Sequence, residues 1–256
     1  MMELFGYKII KGNRLDTSFF DKMKSFRHFF DTNEPITIFD IGANTGQSVR
    51  QYKSVFPRSK IHSFEPLHEP YQQLQKTGAE YSDVICNQMA VANEVGSRDF
   101  YKNTKYSPSS GFLKVNTNSQ TVKNKIHPKD RLDEVDTFSK ETVSMVTLDE
   151  YTKSKGIPKI DILKIDTQGF EKEVFEGAKR LLEEGQQSAD KGISFILTEI
   201  IFDDIYERPS SFLTVEQALL PHGFSLYDIS HIYKDLKRGR THWVDAIYIN
   251  RNHKKI

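Results

Sequence analysis

From Ile36 onward, short apolar runs alternate with stretches whose apolar residues recur at helical spacing. Residues 37–41, 60–65, 83–88, 160–166 and 193–200 are apolar, β-rich and four to eight residues long, which predicts strands. Residues 47–56, 69–76, 170–184 and 214–220 carry a helical period, and Pro57 stops the first of these helices. Strands apolar on both faces and joined by helices imply an α/β fold, a mostly parallel sheet with helices on both faces. The tail differs. Strands at 224–229 and 243–250 are joined by a polar Lys/Arg/Gly segment without helical period. A hairpin there puts an antiparallel C-terminal strand at or near the sheet edge.

Two regions interrupt this rhythm. Residues 17–31 place Phe19, Phe20, Met23, Phe26, Phe29 and Phe30 at helical spacing, before Asn33-Glu34-Pro35 ends the run. Residues 1–35 are therefore expected to be an N-terminal helical extension, a brace or lid on the main domain. Between about 91 and 148, Gly96, Pro108, Ser109, Ser110 and Gly111 break up short β-like pieces. This segment is expected to be an insertion over the carboxyl ends of the strands. With no linker in sight, 36–256 forms one domain.

Composition narrows the function. Lys+Arg 36 against Asp+Glu 35 leaves a net charge of +1, so no global basic field exists to hold nucleic acid. The Lys-rich stretches 123–131 and 234–240 are expected to be solvated surface. No apolar run approaches roughly 18 residues, so no membrane span is expected. The single cysteine, Cys86, sits in an apolar strand and is expected to be a buried thiol. With no internal disulfide and no signal-peptide pattern, a cytoplasmic location is expected. A homodimer is compatible with this composition, which does not specify it.

The chemistry gathers at strand ends, where parallel sheets bind ligands. The first strand runs into Asp40-Ile41-Gly42-Ala43-Asn44-Thr45-Gly46-Gln47-Ser48. Gly42 permits a tight turn, and Gly46 lets the next helix begin close to a ligand. Glu65 ends the second strand, where a carboxylate can accept hydrogen bonds from both hydroxyls of a ribose. Asn44 stands where a dinucleotide loop has its middle glycine. Asp40, placed before the turn, suits the ammonium group of a methionine moiety and repels a pyrophosphate. Asn87 and Gln88, ending the third strand, offer amides to an adenine edge. These features together favour S-adenosylmethionine over a dinucleotide.

The ordered set Asp40 to Gln47, Phe64-Glu65-Pro66 and Asn87-Gln88-Met89-Ala90-Val91 resembles the FkbM family of methyltransferases. So do Thr147-Leu148-Asp149-Glu150, then Ile160 to Glu171, Val174 to Ala178, and Leu197-Thr198-Glu199-Ile200. The resemblance covers roughly residues 36–250. It implies a class I methyltransferase (Rossmann-like) sheet, S-adenosylmethionine as methyl donor, and hydroxyl acceptors on sugars, lipids or polyketide-like products. The donor site is expected to comprise Asp40, Gly42, Ala43, Asn44, Gly46, Gln47, Ser48, Glu65, Pro66, Asn87, Gln88 and Ala90. Gln168 departs from the family, which more often has Glu there, so no acid/base role is assigned to it.

An alcohol is a weak nucleophile, so a base or a metal must take up its proton or charge. Asp166, ending the fourth strand, is the first candidate base, followed by Glu199 near the end of the fifth and by His242. Asp166 and Glu199 could together hold Mg²⁺ or Mn²⁺, although a salt bridge or cap is an alternative role for Glu199. His231 and His127 are weaker candidates. Tyr106, Ser109 and Ser110 are expected to line the acceptor side, with Phe112, Tyr206 and Trp243 as further aromatic surfaces. The expected reaction is O-methylation of a small molecule or glycan. A sugar, as sugar nucleotide or polysaccharide precursor, leads because the pocket is rich in polar groups. The rivals are a nicotinamide-dependent oxidoreductase or epimerase, against which Asn44 counts and whose Tyr-x-x-x-Lys pair is missing after a middle strand (Tyr151 and Lys155 have the spacing but stand ahead of the fourth strand), and a non-catalytic S-adenosylmethionine-binding scaffold.

Overall fold

A computed structural model describes residues 2–4, 7–9, 23–24, 27–31, 34–123, 138–235 and 239–252. β1 (Met2–Leu4) and β2 (Tyr7–Ile9) pair antiparallel, so the N-terminal extension is not wholly helical as the pattern predicted. Three residues, Arg27–Phe29, form a 3-10 turn. Met23, Phe29 and Phe30 are buried against Ile38, Tyr52 and Phe195, as a brace requires. Phe19, Phe20 and Phe26 lie outside the described residues.

The main domain opens with β3 (Thr37–Ile41), β4 (Lys60–Phe64) and β5 (Val84–Asn87). The short β6 (Ala90–Val91) and the longer β7 (Gly96–Asn103) and β8 (Phe138–Val146) follow. Then come β9 (Lys159–Ile165), β10 (Gly192–Ile201), β11 (Phe224–Asp235) and β12 (Arg240–Asn250). Seven of these form one sheet in the order β11-β12-β10-β9-β3-β4-β5. β3, β4, β5, β9 and β10 run parallel, while β12 runs antiparallel to both β10 and β11. Numbered in chain order within this sheet, the arrangement is 3-2-1-4-5-7-6, the Rossmann-like class I sheet that the resemblance implied. The antiparallel strand lies one place in from the edge, which β11 occupies.

The described helices are α1 (Gln47–Val55), α2 (His68–Gly78), α3 (Gln120–Lys123), α4 (Leu148–Lys155), α5 (Glu171–Glu176), α6 (Lys179–Gln187) and α7 (Phe212–Leu219). The period-2 alternation of the strands sends Phe39, Leu163 and Ile196 to one face, where Tyr151, Leu181 and Val215 of α4, α6 and α7 cover them. Ile38, Ile162 and Phe195 go to the other face, under Val49 and Tyr52 of α1. One long helix was expected at 170–184. The chain instead breaks at Gly177-Ala178, and Gly177 passes so close to Ala92 that a Cβ there would overlap its carbonyl oxygen.

The weakly patterned 91–148 stretch holds a second sheet of order β6-β8-β7. Its core is Phe100, Val143 and Met145 packed with Leu67, Phe112 and Phe170. Most of β7 and β8 is exposed on its other face, so the sequence shows only a faint alternation. Residues 124–137, including His127, lie outside the described residues.

The ends of β3 and β9 touch directly. Gly42 has φ 78°, and a Cβ there would overlap the backbone oxygen of Asp166. The Asp166 N–H donates to Ile41 O at 3.0 Å. Gly42→Ala is expected to destabilise the fold by about 2–4 kcal/mol, combining left-handed strain with a backbone clash. Equilibrium urea unfolding measures this, with Gly156→Ala, left-handed at φ 63° but with its Cβ in open space, as the control that carries the strain without the clash.

Candidate active site

The turn after β3 is built from left-handed residues, Gly42 at φ 78°, Asn44 at 47° and Gly46 at 85°. The Gly42 and Ala43 N–H groups donate to Phe64 O at 3.1 and 3.0 Å, fastening the loop to the end of β4. Gly46 begins α1, and a Cβ there would press on Leu74 and Thr77 of α2. Its role is helix packing, not the close ligand approach that its spacing suggested.

Glu65 follows β4 and is 6% exposed. Its Oε2 accepts from the Asn44 N–H at 3.0 Å and its Oε1 from the Leu67 N–H at 2.9 Å. Burial pushes its pKa up to about 7. The two backbone donors pull it down, while the Asp40 and Asp166 charges push it further up. A pocket opens beside it, between the strand ends and the second sheet. Gly42, Asn44, Gln47 and Glu65 line one side, Met89 and Ala90 another, and Ser110 and Phe112 the roof, with Asp166 and Thr167 at the end. The Asn44 Nδ2 donates to Ser107 Oγ at 3.1 Å, joining loop to roof.

Beneath the pocket a buried charge cluster crosses three strands. Asp40 is fully buried and accepts from Ser48 Oγ. Lys164, 17% exposed, lies 3.4 Å from Asp40 Oδ1 and 3.5 Å from Asp166 Oδ2. Burial works against its charge, but Asp40, Asp166 and Asp245 outweigh that and hold the ammonium above the usual lysine range. Asp166 keeps 40% of its side chain exposed and faces the pocket. Gln168 is buried, with φ 56°, and its Nε2 donates to Asp166 Oδ1 at 2.9 Å and to Glu199 Oε2 at 3.1 Å. The Tyr206 hydroxyl donates to Gln168 Oε1 at 2.9 Å. Buried Glu171 gathers the Thr167 N–H and hydroxyl and the Gly169 N–H at 3.0 to 3.2 Å, which shapes the turn; burial pushes its pKa up to about 7.

This geometry brings a ribose-type acceptor carboxylate and a strand-end Asp into one pocket. The family model described as the methyltransferase FkbM domain matches residues 40–226. The chain belongs to the FkbM methyltransferase family. A curated relative, the 2-O-methyltransferase NoeI of Sinorhizobium fredii (strain NBRC 101917 / NGR234), is 24% identical over 200 residues, 77% of this chain and 76% of its own. Among solved structures, a putative rRNA-methylase from Clostridium thermocellum aligns with a TM-score of 0.47 at 8% identity, covering 93% of this chain and 97% of that one. Precorrin-6y C5,15-methyltransferase from Geobacter metallireducens GS-15 aligns with 0.44 at 11% identity, covering 94% and 93%.

Within this FkbM chain the expected donor residues divide. Gly42, Asn44, Gln47, Glu65, Pro66 and Ala90 line the pocket; Asp40, Ala43, Gly46, Ser48, Asn87 and Gln88 do not. Asp40 faces Lys164 and Ser48, so the ammonium-binding role read for it does not fit its placement. Asn87 is turned inward, donating to Ser63 O at 3.1 Å and accepting from the Tyr151 hydroxyl at 3.1 Å. Gln88 is exposed beside His68, 3.5 Å from its Nδ1. Met89 and Ala90 line the pocket in their place, so its wall at this strand end is apolar where amides were expected.

On the acceptor side, Ser110 lines the pocket, whereas Ser109 and Tyr106 do not. Ser109 is buried in the turn, its Oγ accepting from Asn103 Nδ2 at 3.0 Å and donating to Tyr106 O at 2.9 Å. His242 is buried against Asp203, which also pairs with Arg240 at 2.8 Å; it does not line the pocket. His231 pairs with Asp245 at 3.3 Å, and Trp243 stacks on Tyr233. Asp166 and Glu199 converge on the Gln168 amide, which occupies the space between them. Among the described residues no group of three or more His, Cys, Asp or Glu could hold a metal ion. Tyr151 is buried, with its hydroxyl 2.8 Å from His62 Nδ1, and is not available as an oxidoreductase tyrosine. Cys86 is half-buried rather than fully buried. No described helix is long and apolar enough to cross a membrane.

Lys164, Gln168 and Glu171 had been given no role in the site, and Tyr206 only that of an aromatic surface. The first three lie in the run 160–171, whose density of polar residues at a strand end was the available signal; Tyr206 had none beyond its aromatic type.

Glu65 can hold two ribose hydroxyls only as a carboxylate. Its pKa of about 7 means that such a ligand binds fully above that pH and more weakly below it, by up to tenfold per unit. Binding near pH 7 therefore releases protons. Calorimetry with S-adenosylhomocysteine in buffers of different ionisation enthalpy measures this, and pH-independent binding without proton release would be the contrary result. Glu65→Gln is expected to weaken binding about 10–100-fold and to abolish the proton release.

Proposed function

We propose that this FkbM family member is an S-adenosylmethionine-dependent O-methyltransferase acting on a hydroxyl of a sugar, as a sugar nucleotide or glycan precursor. The observation that carries the reading is the shared pocket of Glu65 and Asp166. One is a buried carboxylate suited to a ribose diol, and the other a partly exposed carboxylate at the end of β9, two strands away. The 2-O-methyltransferase activity named for the relative NoeI supports oxygen as the receiving atom.

S-adenosylmethionine, when bound, supplies an electrophilic methyl group on a sulfonium. Glu65 and the Asn44 loop orient the ribose, while Met89, Ala90 and Phe112 offer apolar surface to the adenine. With the donor bound, Asp166 would take the acceptor hydroxyl's proton while the methyl group passes from sulfur to that oxygen, the broken C–S bond's electrons leaving with the neutral thioether S-adenosylhomocysteine. Ser110 and Thr167 flank that position with hydroxyls able to orient a polyol. Lining up the oxygen behind the methyl group at about 3–3.5 Å supplies much of the acceleration, and base assistance adds about 10²–10⁴-fold.

Incubation with methyl-labelled S-adenosylmethionine and a panel of methyl glycosides, sugar nucleotides, phenols and amines tests this reading. Label on sugar oxygen is expected; label only on nitrogen or carbon acceptors would overturn the oxygen assignment. Tight NAD binding without S-adenosylhomocysteine binding would overturn the donor. Asp166→Asn is expected to lower kcat about 10²–10⁴-fold with donor affinity retained, and unchanged turnover would remove Asp166 as the base.

A further inference from the structure

Gln168 takes no part in the reaction proposed above, yet it is the most constrained polar side chain at the site. It is buried, with backbone in the left-handed region at φ 56°. A non-glycine residue pays conformational strain there, and such strain persists where surrounding contacts over-determine it. The contacts here are specific. Each hydrogen of the Nε2 amide meets a different carboxylate, Asp166 Oδ1 at 2.9 Å and Glu199 Oε2 at 3.1 Å. The Tyr206 hydroxyl donates to Oε1 at 2.9 Å, which settles which end of the amide faces the acids.

We infer that Gln168 is a positioning residue: its amide clamps Asp166 and Glu199 side by side and fixes how the Asp166 carboxylate is turned toward the pocket. This rests on the reading of Asp166 as the proton acceptor. Two carboxylates on adjacent strands repel one another, and a neutral double donor between them lets both stay in place. With Oδ1 held by Gln168 and Oδ2 facing Lys164 at 3.5 Å, the Asp166 carboxylate cannot swing freely. The charged groups acting on Asp166 or Tyr206 at the clamp are Lys164 on β9, Asp245 on β12, Glu65 after β4 and Glu171 at the start of α5. Gln168 also underlies the roof, since the Cβ position at Gly111 lies 3.5 Å from Gln168 Cβ. Tyr206 likewise reaches the Ser109 carbonyl oxygen at 3.4 Å. The clamp therefore ties the reacting strand ends to the second sheet.

The test uses two variants with complementary losses. Gln168→Gly keeps the left-handed turn and deletes the amide; Gln168→Met keeps the side-chain length and deletes both donors. Calorimetry with S-adenosylhomocysteine and steady-state kinetics with the methyl glycoside that the wild type turns over best are run on each. Both variants are expected to bind the thioether within about threefold of wild type and to keep the acceptor KM within about threefold. Their kcat is expected to fall about 30–100-fold, the scale of a misplaced reacting group. Wild-type kcat in Gln168→Gly would show that only the turn matters and would overturn the inference. So would a loss of thioether affinity matching the loss of kcat, which would assign Gln168 to donor binding.

A readout independent of any acceptor is the side-chain amide of Gln168 in ¹⁵N-glutamine-labelled protein. Its two protons are expected as separate, slowly exchanging signals that disappear in Gln168→Met and move in Asp166→Asn. If the wild type methylates no glycoside, the proposed acceptor class fails while this signal still decides the clamp. A rapidly exchanging amide, unmoved by Asp166→Asn, would overturn it.

Discussion

Everything at the carboxyl end of the sheet is arranged around one buried ammonium, that of Lys164. Burying a charge is costly unless it is paired, and breaking such a pair leaves the partner's charge stranded. Lys164 sits between Asp40 of β3 and Asp166 at the end of β9, with Asp245 of the antiparallel strand adding to its field. One cation thus acts on acids carried by β3, β12 and the end of β9. Asp40 gives up the ligand-facing role its position suggests, and Ser48 at the start of α1 completes its hydrogen bonding. The loop, the first helix and the reacting strand end are in this way a single electrostatic unit.

Most of the family motif outside that unit does structural work that can be named residue by residue. Thr147 caps α4 by accepting from the Glu150 N–H at 3.0 Å. Asp149 accepts from the Arg180 and Leu181 N–H groups at 2.7 and 3.1 Å, stabilising the start of α6. Gly177 lets the break between α5 and α6 pass over Ala92. Glu171 holds the turn that carries Gln168. These residues set the angle at which helices meet strand ends, and the pocket inherits its shape from them.

The fold was legible because parallel strands buried on both faces are short and rich in apolar residues, as β3 and β10 are, with helical spacing between them. Gly42, Glu65 and Asp166 were legible for a related reason, since topology alone puts strand ends at the ligand. What escaped was side-chain direction. Asp40 and Asn87 occupy the expected backbone positions but turn inward to buried partners, Lys164 and Ser63, that lie on neighbouring strands in space and far off in sequence. The second sheet was faint because β7 and β8 bury only part of one face. The close approach of Gly177 to the Ala92 carbonyl was equally invisible, since the two lie 85 residues apart in sequence.

Spatial closeness without sequence closeness also explains why the Gln168 network could not be anticipated. Its four members come from the ends of two strands and from two turns, and none is unusual in its own segment. Tyr206 follows β10, while the Ser109 carbonyl it reaches belongs to the roof. A pocket assembled between two sheets needs such cross-links, since neither sheet alone fixes the distance between them. The Asn44–Ser107 bond supplies one at the donor end and the Tyr206–Ser109 contact another at the reacting end. Placing a polar tether at each end, with the apolar contact of Phe112 and Phe170 between them, holds the roof in register over the loop while leaving the pocket open.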